Sequence, residues 1–259
     1  MIPYIPPLEF DLGPLHISAF GILMIAAVVV GSVAIQWRGA SQGLDVSRID
    51  KLVASTVAGG FIISHVVAVL FYHPEQLAND PLALFKIWGA MTSYGGFIGA
   101  ISGILLYVGL ALRPFERWRY ADAVAWGFPF GWIFGRLGCT LTLDHPGPTT
   151  DFALAFQQAD GTSVHNLGFY ELLLMLAICT LFLILKARPR FSGFWMCLLW
   201  LIYSPFRFGM DVFRALDMRY AGLTPGQWAA VAMFLAAAGL MIRRARVADF
   251  EPWEKQESP

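Results

Sequence analysis

Between Gly135 and Gly147 the chain reads GRLGCTLTLDHPG, placing the guanidinium of Arg136, the thiol of Cys139, the carboxyl of Asp144 and the imidazole of His145 within ten residues. An imidazole beside a carboxylate is suited to take a proton near neutral pH. A thiol three residues after an arginine can be drawn towards thiolate and act as a nucleophile, or it can be an inert packing residue at a helix end. A second group, Arg207, Asp211 and Arg214, falls at i, i+4 and i+7, which predicts all three on one face of a helix. Two compatible readings follow. Arg207 and Asp211 neutralise each other, or pair with Asp144 or Glu171, and hold helices together. Alternatively, Arg136 and Arg207 converge on an anion, with the carboxylates orienting them.

The elements that must position these groups are greasy. Of 259 residues, 57% are hydrophobic and 14% charged, with a mean hydropathy of +0.60, whereas soluble domains carry about 25% charged residues. Apolar runs of about 20 residues span a bilayer as helices. Seven such spans are expected, at about 17–36, 52–72, 90–112, 120–139, 167–186, 194–213 and 226–242. The predicted fold is an all-α polytopic membrane protein, one membrane domain over 1–259 with a small external cap at about 140–166, where the chain is polar and rich in Pro, Gly and Thr. Gly147 is expected to allow the turn into that cap.

Basic residues set the orientation. Arg38, Arg48 and Lys51, then Arg113, Arg117 and Arg119, then Lys186, Arg188 and Arg190, then Arg243, Arg244 and Arg246 occupy alternate connections. The positive-inside rule therefore puts the amino terminus outside and the carboxyl terminus in the cytoplasm, in a multi-pass cytoplasmic (inner) membrane protein. No Lys or Arg precedes Arg38, which argues against reading the first span as a cleaved signal peptide. Trp88 falls where an interfacial anchor belongs.

A formal net charge of +0 and the lack of a glycine-rich phosphate loop argue against nucleic-acid or nucleotide partners. Cys139, Cys179 and Cys197 show no metal-ligand spacing, and no metal or cofactor is expected. Gly95, Gly99 and Gly103 recur every fourth residue, with Gly96 beside them. Such a stripe lets another helix backbone approach closely, or gives a lipid chain room. His65, inside the second span, needs a polar partner. Within a bilayer an arginine costs about 2.5–3.5 kcal/mol on insertion scales, so Arg136 and Arg207 call for a partner, and the anion at hand is a phospholipid phosphate.

Five stretches, in order, resemble the bacterial prolipoprotein diacylglyceryl transferases. They are LGPLHISAFGILMIAAVVVG, MTSYGGFIGA, GRLGCTLTLDHPG, HNLGFYE and YSPFRFGMDVFRALD. The resemblance implies transfer of the diacylglyceryl group of phosphatidylglycerol to the lipobox cysteine thiol of a prolipoprotein signal-peptide substrate, forming a thioether and releasing glycerol phosphate. It assigns Arg136 and Arg207 to the lipid phosphate. Gly138, Gly147, Glu171, Tyr203 and Arg214 match motif positions, as Gly95 and Gly96 match the glycines of the second stretch. Asp144 and Asp211 stand where the family has glutamates. Phe20 replaces a family tyrosine, Tyr94 the histidine often proposed as the thiol's base, and Cys139 and Thr142 two asparagines. On the catalytic side the candidates are therefore His145, Asp144, Tyr94 and Cys139, with His145 first as base. The alternative function is a catalytically altered paralogue that binds phospholipid as an accessory or lipid-handling protein, or a transferase with a different acceptor.

Overall fold

The computed structural model describes residues 1–6, 8–12, 15–86, 89–186, 190–214 and 219–247. Trp88, Arg188, Asp217 and the tail beyond Val247 lie outside the described residues. The chain divides into two compact units, Gly39–Tyr120 and the remainder, Met1–Arg38 with Ala121–Pro259.

Eight α-helices are described: α1 (Ala19–Ser41), α2 (Val46–Val67), α3 (Pro74–Asn79), α4 (Ser93–Ala111), α5 (Arg117–Thr142), α6 (Leu167–Leu185), α7 (Phe194–Met210) and α8 (Pro225–Val247). Among the described residues, six helical segments are long and apolar enough to cross a membrane: α1, α2 with the π-helical turn that follows it, α4, α6, α7 with its following turn, and α8. Their outer faces carry exposed side chains such as Ile25, Leu110 and Ile184, which a lipid environment would cover. The predicted fourth span lies in α5, a continuous helix of 26 residues with Pro129 inside it. Arg117, Arg119, Asp122 and Arg136 make α5 less apolar than the other six.

Not everything is helical. Strands β1 (Glu9–Leu12) and β2 (Leu15–Ser18) form an antiparallel hairpin, so the first helix starts at Ala19 rather than at residue 17. The expected cap is a three-stranded antiparallel sheet in the order β3 (Pro146–Thr149), β5 (Ser163–Asn166), β4 (Phe156–Gln157). Runs of two to four residues are too short to show a period-two pattern, so composition alone marked this stretch as a polar cap without revealing its strands.

In the Gly39–Tyr120 unit, α2 and α4 touch backbone to backbone. A Cβ on Gly95 would lie 2.7 Å from Ser64 Cα, and Cβ atoms on Gly99 and Gly103 would overlap the carbonyls of Gly59 and Ser55. The packing reading of the stripe is what these contacts show. Hydroxyls finish the joint: Ser55 donates to the Gly103 carbonyl at 2.9 Å. Ser64 donates to the Thr92 carbonyl at 2.7 Å and accepts from the Thr92 N–H at 2.9 Å. Buried His65 has both ring nitrogens on carbonyl oxygens, Nδ1 at 3.1 Å from Ala90 and Nε2 at 3.0 Å from Ala83.

The other unit has a conventional apolar core. Ala125 and Trp126 of α5 pack with Met175, Ile178 and Phe182 of α6 and Trp195 and Leu199 of α7. Its α1 and α5 meet through Gly31 and Gly131, where a Cβ on Gly131 would sit 2.9 Å from Gly31 Cα. Asp122 fixes the start of α7 by accepting from the N–H groups of Gly193 (2.6 Å) and Met196 (3.0 Å), satisfying donors that a helix start leaves orphaned.

Candidate functional site: a carboxylate shared by two arginines

The larger unit places Arg136, Glu171, Arg207 and Asp211 in one connected network. Arg136 sits in the last two turns of α5, and its Nε pairs with Glu171 Oε2. Arg207, near the end of α7, reaches the other oxygen, Nη1 to Oε1 at 3.0 Å. Glu171 lies in the second turn of α6 and is 2% exposed, so one buried carboxylate is held between two guanidinium groups on different helices. Tyr203, one turn before Arg207, donates to Glu171 Oε1 at 3.5 Å. Arg136 also lies over the Trp132 ring, 4.7 Å from its centroid, a cation–π arrangement.

Of the three carboxylates considered as partners for Arg207, two are used. Besides Glu171, Asp211 Oδ1 pairs with Arg207 Nη2 at 2.8 Å. Asp144 pairs with neither arginine; its Oδ1 is 2.9 Å from His145 Nδ1. Spacing alone could not choose among them, because which helix faces which is decided by tertiary packing.

The expected single helical face for Arg207, Asp211 and Arg214 is corrected by the structure. α7 stops at Met210, and Asp211–Phe213 is a 3₁₀ turn. Arg214 has left the helix at φ −89°, ψ 85° and approaches Asp211 Oδ1 from that turn, at 3.8 Å.

Asp211 is 1% exposed, and its second oxygen has a partner that sequence reading missed. Thr224 Oγ1 donates to Asp211 Oδ2 at 2.6 Å. Thr224 caps α8 with Gln227: the Gln227 N–H donates to Thr224 Oγ1, and the Thr224 N–H to Gln227 Oε1, each at 3.0 Å. The legible signal was TPGQ, a Thr followed three residues later by Gln, with Pro at the first helical position before an apolar run.

The cap attaches to this network by short links. Asn166, fully buried, accepts from the Phe169 N–H at 3.1 Å and donates to the Thr140 carbonyl at 2.9 Å, joining the start of α6 to the end of α5. Gly147 does not make the turn into the cap. It lies in β3, where a Cβ would come 2.9 Å from His165 Cβ, so its role is close approach; the left-handed turn residue is Leu143, at φ 49°. His165 is 2.8 Å from the Tyr170 hydroxyl and stacks near Phe213, 4.8 Å between centroids. Gly138 accommodates the ring of Phe20, whose Cδ2 would be 3.0 Å from a Cβ there.

Cys139 is half-buried, with Sγ 3.6 Å from Arg136 Nη1. Tyr94 lies in the Gly39–Tyr120 unit, in the first turn of α4, with its side chain exposed. There Gly95 and Gly96 serve the α2–α4 joint: Gly95 packs on Ser64, and the Gly96 carbonyl lies 3.5 Å from where a Cβ on Gly60 would be.

The profile of the prolipoprotein diacylglyceryl transferases matches residues 7–243. The chain belongs to this family. Curated relatives cover nearly the whole of it. The phosphatidylglycerol–prolipoprotein diacylglyceryl transferase of Mannheimia succiniciproducens is 30% identical over 251 residues, 93% of this chain and 91% of its own length. The proteins of that name from Bordetella bronchiseptica and Chromohalobacter salexigens are 30% and 31% identical, covering 94% and 93% of this chain and 97% and 92% of their own. For a member of the prolipoprotein diacylglyceryl transferase family, the network gathers Arg136, Glu171, Arg207 and Asp211 from three of the five matching stretches.

Proposed function

We propose that this protein transfers the diacylglyceryl group of phosphatidylglycerol to the cysteine thiol of a prolipoprotein signal peptide, from a seven-span arrangement in the bacterial inner membrane with the amino terminus outside and α5 as the additional span. The observation that carries the reading is the pair of arginines held on one buried carboxylate, Glu171. Membership of the family and the names of the relatives support it.

Arg136 and Arg207 hold the lipid phosphate, and Glu171 and Asp211 keep their planes fixed before lipid arrives. In the reaction the peptide sulfur bonds to the terminal glycerol carbon as the carbon–oxygen bond to phosphate breaks. The electron pair stays on the phosphate oxygen, and the thiol proton passes to His145, whose ring Asp144 orients. Guanidinium groups already in place stabilise charge on the leaving phosphate without reorganising, the electrostatic contribution such a site makes best. Cys139 is not the nucleophile of this scheme, because a diacylglyceryl thioether on the enzyme would have no adequate leaving group for a second transfer.

The test is purified protein in phosphatidylglycerol liposomes with a lipoprotein-signal peptide. Release of glycerol phosphate and a thioether-linked peptide are expected, and absence of both products would sink the reading. Arg136→Ala and Arg207→Ala should abolish turnover and lipid binding. His145→Ala should keep binding and slow turnover by about 10²–10⁴-fold, the usual contribution of a general base; unchanged turnover would remove His145 from the role.

The second reading, a lipid-binding paralogue without this turnover, is favoured by one observation: Tyr94, Phe20 and Cys139 occupy positions where the family pattern has His, Tyr and Asn. Binding without product in the wild type, followed by product in a Tyr94→His, Phe20→Tyr variant, would establish it.

A further inference from the structure

Arg207 has two carboxylate partners with different supports. Glu171 is itself gripped from the other side by Arg136, whereas Asp211 stands at the head of a 3₁₀ turn, outside the helix that carries Arg207. What holds Asp211 comes from α8. Thr224 is fully buried and gives its hydroxyl proton to Asp211 Oδ2 while its oxygen accepts the Gln227 N–H. Gln227, 5% exposed, also donates through Nε2 to the Phe208 carbonyl at 3.3 Å, so α8 touches the last turn of α7 at a second point. At Gly226 a Cβ would lie 2.9 Å from Asp211 Cγ and overlap Oδ2. The start of α8 is therefore shaped around one carboxylate, with a hydroxyl on one side of it and bare backbone on the other.

We propose that Thr224 is a positioning residue of the arginine site: through Asp211 it fixes the guanidinium plane of Arg207, and Gly226 leaves the carboxylate the room to take that pose. This deepens the phosphate-binding part of the proposed function and rests on it. A carboxylate with one oxygen committed to Arg207 and the other to a neutral donor keeps its full charge directed at the arginine. Losing the hydroxyl leaves a buried charged acceptor partly unsatisfied, worth about a tenfold change in what depends on it. A helix cap with no other duty would behave differently, since its loss lowers the stability of α8 and leaves Arg207 alone.

The experiment is a double-mutant cycle on the full chain in nanodiscs, read as affinity for a fluorescent phosphatidylglycerol probe and as thermal unfolding. Thr224→Val is expected to weaken lipid binding about tenfold, and Thr224→Ser, which keeps the hydroxyl, to restore it. In an Asp211→Asn background Thr224→Val should weaken binding no further. Gly226→Ala should weaken binding as Thr224→Val does, and Gln227→Ala should lower the unfolding temperature with less effect on affinity. Additive losses in the cycle, or a Thr224→Val variant that unfolds earlier but binds lipid as the wild type does, would overturn the proposal. The transferase reading is judged separately by product formation in the wild type, so bound lipid without product would defeat that reading and leave this one to the cycle.

Discussion

The α2–α4 joint and the α5–α6–α7–α8 network solve the same problem with opposite chemistry. Lipid removes the hydrophobic drive for helices to associate, so each region needs another attraction. Between α2 and α4 it is proximity: glycines let carbonyls, hydroxyls and Cα atoms come within contact, and no charged side chain takes part in the contacts described. Among α5, α6, α7 and α8 it is charge, with Glu171 and Asp211 each bridging elements. The first arrangement holds shape and offers little to a ligand. The second keeps charged and polar groups near the ends of helices.

The comparison can be broken most forcefully at Glu171. Glu171→Ala leaves two guanidinium groups without their shared partner, and removing one member of a buried ion pair costs about 3–5 kcal/mol. Loss of folded protein in detergent is expected, measured by thermal unfolding and by yield. A stable Glu171→Ala protein would mean that charge is not what holds these helices together. Gly99→Val, which drives a side chain into the Gly59 carbonyl, should cost about 1–3 kcal/mol by overpacking. Turnover should fall only as far as the folded fraction does; a folded but inactive Gly99→Val protein would move the stripe from packing to function, as a route for a lipid chain. Ser64→Ala removes two hydrogen bonds of the joint and should cost about 1 kcal/mol, read as a lower unfolding temperature with turnover unchanged. Smallest is the solvent-exposed pair Asp80–Lys86. Lys86 beside it and the Leu82 N–H hold the Asp80 carboxyl below its usual range. Its small contribution should be present above the unfolded carboxylate pKa and lost as pH falls through the lowered one. Lys86→Ala should flatten that part of an unfolding-versus-pH curve and lower the plateau above it by the same small amount.

The helices were legible because membrane spans carry a signal of length and apolarity that needs no tertiary information, and the observed helices fall on the expected intervals within a few residues. Strands β3 to β5 were not, being two to four residues long and held by register with one another and by Asn166. The site was legible as a set of residue types. Arg136 and Arg207 stood out as charges in greasy segments, and Glu171 was only one of three acceptors open to Arg207. That it lies between both arginines depends on how α5, α6 and α7 turn towards one another, which no spacing within a single helix encodes. Thr224 illustrates a different failure: its capping signal is local and readable, but its second duty towards Asp211 exists only after the chain has turned back from α7 into α8. Gly147 was assigned a turn on residue type alone, whereas the positive φ falls on Leu143 and the glycine yields space to His165.

The network also has a charge arithmetic. Arg136 and Arg207 meet Glu171 and Asp211 in close ion pairs, two guanidinium groups against two carboxylates. A phosphodiester brings one negative charge to that balanced set. A phosphate monoester carries between one and two negative charges near neutral pH, its second pKa being about 6. On the proposed reaction the substrate is the first kind of anion and the released glycerol phosphate the second, now without the acyl chains that kept it in the bilayer. On that reaction the product would load the cluster with more negative charge than the lipid does, and water is the better place for the surplus charge. Glycerol phosphate added to the liposome assay is accordingly expected to inhibit poorly, and inhibition at concentrations comparable to the lipid's own would show that the site does not discriminate in this way.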